Sequence, residues 1–286
     1  MFELMETAGQ QAVIKVLGIG GGGGNAVDHM LSANLEGVEF INANTDAQAL
    51  RRSGVSKVLQ LGENLTKGLG AGTDPDVGRQ AATEDRDKIA EVLDNTDMIF
   101  LTAGMGGGTG TGAAPVIAEA AKEKGILTVG VVTIPFSTEG GNRHKYAMQG
   151  LKELRKYVDT LLVINNDKLI EIYGNLTFTQ AFAKANEVLN TATKGIAEVI
   201  SQHLLVNIDL NDARRVLENS GTAVMGQATA SGENRAIEAV KGALDSPLLN
   251  DNNIKGAKQV LLKIVTGDGE EEIRMMELSD IKQKIQ

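Results

Sequence analysis

Two textures alternate along the first half of the chain. Short, nearly unbroken apolar runs are each followed by a stretch where apolar residues return every three or four positions. The runs are "AVIKVLGIG" (12–20), "GVEFINA" (37–43), "KVLQLG" (57–62), "DMIFLTAG" (97–104), "ILTVGVVTIP" (126–135) and "TLLVINN" (160–166). Continuous apolar runs of this length predict strands buried on both faces. Between them, "NAVDHMLSA", residues 75–93, a segment from about Ala113 to Lys124 and "NRHKYAMQGLKELRKY" predict helices with a polar outer face. Strand–helix alternation of this kind implies a doubly wound parallel α/β sheet.

A longer periodic segment follows at 178–202. Phe178, Phe182, Ala185, Leu189, Ala192, Ile196 and Val199 fall on one stripe, widened by Val188 and Ile200. This predicts a long core helix. Beyond "LLVNIDLND" the texture changes. Helices are expected at about 210–219 and from "SGENRAIEAVKGAL", with "AKQVLLKIVTG" (257–267) and "EEIRMMEL" (271–278) as a pair of strands and a helix beginning in "SDIKQKIQ". The division expected is 1–177 for the first domain, 178–202 for the bridging helix, and 203–286 for a loop and a smaller α+β region.

Composition narrows the function. The 286 residues carry a net charge of -9, which argues against a general nucleic-acid or acidic-membrane surface. With no cysteine there is no disulfide framework and no thiolate metal site, and the three histidines have no ligand spacing. No apolar run reaches membrane-spanning length, and "MFELMETAGQ" lacks the features of a signal peptide, so a cytoplasmic location is expected.

Glycine changes the picture most. Six glycines fall in residues 18–24 and six more in 104–112, out of 34 in the chain. Each cluster ends an apolar strand and opens a helix. Helix N-termini present unpaired N–H groups and partial positive charge, which suits phosphate oxygens. Glycine lets the main chain approach such an anion, and Thr109 and Thr111 can add hydroxyl donors. Three alternatives stand beside this reading. Gly18, Gly20 and Gly23 fit G-x-G-x-x-G, the fingerprint of nicotinamide-dependent oxidoreductases; the acid that should follow would be Asp46, which begins a helix instead. A nucleotide-binding protein that assembles without efficient hydrolysis is the second. Tight strand–helix turns with no ligand are the third. No G-K-[ST] is present, so there is no P-loop.

"GGGTGTG" (106–112), set between a strand and a helix, resembles the tubulin/FtsZ family of self-assembling GTPases. "VLGIGGGGGNAV" (16–27), "NTDAQAL" (44–50), "KGLGAGTDPDVG" (67–78) and "NIDLNDAR" (207–214) share the family's form, over about residues 12–265. The bacterial cell-division members are the most similar. The resemblance implies a Rossmann-like GTPase domain and a site for GTP or GDP with Mg²⁺. In it Gly21, Gly22, Gly23, Gly24 and Asn25 lie under the phosphates and ribose, and Gly107, Gly108, Thr109 and Gly110 cradle the α- and β-phosphates. Ala71, Gly72 and Thr73 lie near the γ-phosphate. Glu139 and Arg143 match ribose and guanine-edge contacts, though four-residue spacing alone reads as a surface pair. Asn166 and Asn186 match the positions that read guanine, and Phe182 the one that stacks on it.

The same resemblance implies that Asn207, Asp209 and Asp212 act on the nucleotide of the next subunit in a head-to-tail homopolymer, at the cell-division site. From the pattern alone, Asp209 and Asp212 are equally an N-cap and a first-turn acid. Two departures stand out. Leu205 occupies a position where the family has glycine, and Asn165 one where it has proline. The chain is also expected to end short of the family's full second domain, without the linker and the peptide that binds membrane tethers. Other division proteins are expected partners, with no nucleic acid and no direct membrane insertion.

Overall fold

The computed structural model describes residues 12–31, 37–201, 209–245, 257–267 and 269–285. The first half runs β1 (Ile14–Ile19), α1 (Gly20–Leu31), β2 (Val38–Asn44), α2 (Ala47–Arg52), β3 (Lys57–Gln60), α3 (Glu63–Thr66), α4 (Pro75–Glu84), α5 (Arg86–Leu93), β4 (Met98–Gly104) and α6 (Gly108–Glu123). It continues with β5 (Leu127–Ile134), α7 (Gly141–Leu154), β6 (Thr160–Asn165), α8 (Asn166–Tyr173) and α9 (Phe178–Ser201). Then come α10 (Leu210–Leu217), β7 (Gly221–Ala223), α11 (Arg235–Leu244) and α12 (Met275–Ile285).

The seven strands form one parallel sheet in the order β3-β2-β1-β4-β5-β6-β7. Alternate side chains along each strand feed two cores. Leu17, Ile19, Leu101 and Val132 pack with α4, α5, α6 and α7 on one face. Val16, Phe100, Val131 and Leu162 pack with α1, α9 and α10 on the other. The strands are apolar throughout because both faces are covered.

Several expectations need correction. The predicted helix over 75–93 is two helices, because Asp85 turns inward and its carboxylate accepts the Gly62 N–H at 2.6 Å. α1 and α6 begin five residues earlier than expected, inside the glycine clusters. The clusters are therefore mostly first helical turns and only partly loops. The strand expected at 271–278 is a 3-10 turn (Gly269–Glu271) followed by α12. Its Glu, Arg, Met and Leu residues are good helix formers. The bond from the Arg274 N–H to Glu277 and the ion pair between Arg235 and Glu277 fix the helix in place. Residues 257–267 form no strand ladder among the described residues; alternation alone does not make a strand without a neighbour to pair with.

Candidate functional site

The register places Ala43, Ile19, Ala103, Val132 and Val163 in one row near the carboxyl ends of the strands. From β1 the chain winds outward through β2 and β3, then returns to β4 and winds the other way. The crevice of such a sheet lies at this switch point, between β1 and β4. Both glycine turns sit there, at the starts of α1 and α6.

The two turns meet. A Cβ on Gly22 would lie 3.1 Å from the Gly104 Cα, and one on Gly110 would lie 2.6 Å from the Gly104 carbonyl oxygen. A Cβ on Gly23 would lie 2.2 Å from the carbonyl oxygen of Thr102. These glycines are needed for backbone to pack on backbone. Gly21, Gly107 and Gly72 differ: nothing lies within 4 Å of where their Cβ would be. Among the described glycines of the two turns and of the 70–72 segment, only these three have open space there.

Ala71, Gly72 and Thr73 lie against the second turn. A Cβ on Gly108 would sit 2.8 Å from the Ala71 Cβ. Gly72 and Thr73 both have positive φ, 58° and 64°, which is unusual for threonine. Thr45 ties this segment in: its carbonyl accepts the Gly70 N–H at 3.3 Å, and its buried hydroxyl bonds to that of Thr109 at 2.7 Å. Thr111 accepts the Gly106 N–H at 2.8 Å. Both hydroxyls bond within the protein, Thr111 as an acceptor that keeps its own proton to donate. A recess beside Gly20, Gly21, Gly24 and Asn25 is also lined by Asn42 and Asn44.

Toward β5 and β6, Phe136 and Phe182 meet edge-on at 5.3 Å, and Phe178 leans on Phe182 at 4.8 Å. Asn166 is 4% exposed, and its amide oxygen is buried without a hydrogen-bond partner. Asn186 is half-buried on α9. Glu139 accepts the Phe136 N–H at 3.0 Å and pairs with Arg143, four residues on, at 3.3 Å.

The acids are elsewhere. Asp209 caps α10, accepting the Asp212 N–H at 2.8 Å, and both side chains are exposed. Asn207 and Leu205 lie outside the described residues. α10 runs along the amino ends of the strands. Arg214 reaches the carbonyl of Asp97, just before β4, and the Leu217 carbonyl accepts the hydroxyl of Thr160, the first residue of β6. A strand of seven residues such as β4 is roughly 23 Å long. The glycine turns and the acid pair therefore occupy opposite ends of the sheet.

Sequence reasoning did not single out Asn42, Asn44, Thr45 or Phe136. Asn44 and Thr45 stood inside the quoted "NTDAQAL", and Phe136 directly follows the fifth strand. Those positions were the available signal.

A switch-point crevice walled by two helix N-termini, with bare glycine backbone facing open space, defines a nucleotide-binding α/β protein. Residues 13–174 match the model of the Tubulin/FtsZ family, GTPase domain, and residues 221–286 match that of the FtsZ family, C-terminal domain. The chain belongs to the tubulin/FtsZ family and carries its GTPase domain, a domain that binds GTP and GDP. Among its relatives, the cell division protein FtsZ of Coxiella burnetii is 58% identical over 93% of this chain and 69% of its own length. That of Pseudomonas putida is 53% identical over 98% of this chain and 70% of its own. An empty FtsZ dimer from M. jannaschii superposes with a TM-score of 0.81 at 46% identity, covering 84% of this chain and 70% of that one. The nicotinamide alternative finds no support: Asp46, the acid it needs, is committed to capping α2 through the Gln48 and Ala49 N–H groups.

Proposed function

We propose that this chain is a GTPase of bacterial cell division that stacks head to tail, and that each active site is completed by the next copy. The reading rests on one observation: the open glycine cradle and the exposed acid pair lie at opposite ends of one sheet. In a single chain they cannot act on the same phosphate. In a heterologous stack, the amino-end face of one copy covers the carboxyl-end face of the next, and such a contact repeats into a filament.

On this reading Gly21 to Gly24 and Asn25 hold the phosphates and ribose, and Gly107, Gly108, Thr109 and Gly110 hold the α- and β-phosphates with main-chain N–H groups. Ala71, Gly72 and Thr73 face the γ-phosphate. Phe182 stacks on guanine. Asn166 and Asn186 bond to its edge, and Asn166 arrives with an oxygen still lacking a partner. Glu139 and Arg143 hold the ribose side. Asp209, Asp212 and Asn207 of the neighbour orient the attacking water. Backbone donors stabilise charge as it develops on the phosphoryl oxygens. Mg²⁺ neutralises phosphate charge when bound. Among the described residues no three acidic or histidine side chains stand together as a metal site, and an ion here would take its ligands from phosphate and water. The proposal includes the division of the chain at 177 and 202, a location at the division site, and other division proteins as partners. No helix among the described residues is long and apolar enough to cross a membrane.

The test is GTP turnover per subunit across a dilution series, with Asp212→Ala beside the natural sequence. Turnover should rise with concentration, and Asp212→Ala should bind GTP normally yet turn over about 100-fold more slowly. Turnover independent of concentration, or undiminished in Asp212→Ala, overturns the shared site.

A further inference from the structure

The far end of α10 is held by a polar clamp. The Thr160 hydroxyl, fully buried, donates to the Leu217 carbonyl at 2.6 Å and meets the Ser220 hydroxyl at 2.7 Å. Next to it, Asp159 accepts the Asn219 N–H at 3.4 Å with one carboxylate oxygen and the Thr128 N–H at 2.9 Å with the other. Its carbonyl accepts the Gly221 N–H at 2.9 Å. Asn219 and Gly221 both have positive φ, so the chain reverses sharply here before β7 pairs with β6.

α10 has eight residues, about 12 Å of helix. Its apolar anchors are Ala213 and Leu217, with Leu210 partly buried against the same core; they lie on one stripe and fix depth against the sheet. Direction is another matter. A short helix held along one apolar stripe can still roll and tilt, and a change at its carboxyl end is carried to its amino end. That amino end carries Asp209 and Asp212. Phosphoryl transfer is sensitive to such displacement, since a shift of about 1 Å can cost two orders of magnitude.

We propose that Thr160, with Ser220 and Asp159, is a positioning device for hydrolysis: it sets the angle at which α10 presents Asp209 and Asp212 to a neighbouring copy's nucleotide. The proposal rests on the shared-site reading above. Thr160 touches no nucleotide, because it begins β6 at the end of the sheet opposite the glycine turns. The direct route from Thr160 to the acids runs through its bond to the Leu217 carbonyl of α10.

The experiment uses full-length chains carrying Thr160→Val, Thr160→Ser or Ser220→Ala. Thr160→Val should bind GTP as the natural chain does and turn over about tenfold more slowly. Thr160→Ser, which keeps the hydroxyl, should restore turnover. Ser220→Ala lies on the exposed side of the clamp; it should show the same defect in smaller degree and stands in if Thr160→Val does not fold. The decisive readout is mixing. Gly107→Glu, whose carboxylate would occupy the phosphate position, serves as a partner with a closed cradle and intact acids. Added to Thr160→Val, it should recover turnover, because the acids come from the unaltered α10. Asp212→Ala mixed with Gly107→Glu is the control. If that control shows no recovery, the shared site itself fails. If the control recovers but the Thr160→Val mixture does not, the defect is not in α10 placement and the inference is overturned. Natural turnover in both Thr160→Val and Ser220→Ala also overturns it.

Discussion

The Cβ that Gly20 lacks would lie 2.8 Å from the backbone nitrogen of Gly110. The two glycine turns are thus a single packed unit, and their glycines divide into those that touch backbone and those that face open space. Gly23→Ala would force a methyl group against the Thr102 carbonyl, and should lower stability by about 1–3 kcal/mol. A Cβ on Gly107 would meet no atom within 4 Å, and an acid at a helix N-terminus is favourable, so Gly107→Glu is tolerated by the fold. It should melt close to the natural chain yet lose GTP binding. Chemical denaturation and nucleotide titration of both variants separate the two roles; equal losses of stability would refute the division.

Asn166 keeps a buried amide oxygen without a partner. Leaving such a group unpaired is a cost the free protein carries. Asn166→Leu should therefore be neutral or slightly stabilising in the nucleotide-free chain, while affinity for GTP falls about tenfold or more. Isothermal titration with GTP, set beside thermal melts, measures both. Unchanged affinity would remove Asn166 from the guanine site.

The Thr45 and Thr109 hydroxyls share a buried bond of 2.7 Å that joins the end of β2 to the start of α6. Thr45→Val and Thr109→Val should each destabilise by about 1 kcal/mol, and the double variant by less than their sum. A double-mutant cycle in urea reads the coupling directly. Additive losses would mean that the bond contributes nothing.

Glu277 is held down to about 2 by its bonds from Arg235 and from the Arg274 N–H. A carboxyl with a lowered folded-state pKa stabilises above its unfolded value, here 4.5, and loses that contribution as pH falls through the folded value. The docking of α12 should therefore weaken progressively between pH 4.5 and about 2. Glu277→Gln should show weaker docking already at neutral pH and little further acid dependence there. Amide exchange along α12 across that range is the check; a natural chain and Glu277→Gln with the same pH profile would contradict it.

Much of the fold was legible because its strands are buried on both faces, so "MIFLTAG" and "LTVGVVTI" announce themselves without any neighbour. The helix starts were harder. Glycine has poor helix propensity, yet α1 begins on five of them because only bare backbone fits against Thr102 and Gly104. β7 escaped notice: three residues, Gly221–Ala223, carry no period, and what holds them is the distant Asp159. The misread strand at 271–278 fails for the converse reason. Arg235 lies 42 positions from Glu277, and no local pattern reports that ion pair. In the site, the glycine motifs gave the cradle. They could not say which glycines face outward, nor that Thr45 and Thr109 share a buried hydroxyl bond.

Among the described residues the sheet ends on strands of only four and three residues, β3 on one side and β7 on the other. So short a margin offers little unpaired ladder for a stray strand to zip onto. A member of a family that meets copies of itself is thereby protected from one wrong way of doing so: broadside fusion into a continuous ribbon is discouraged.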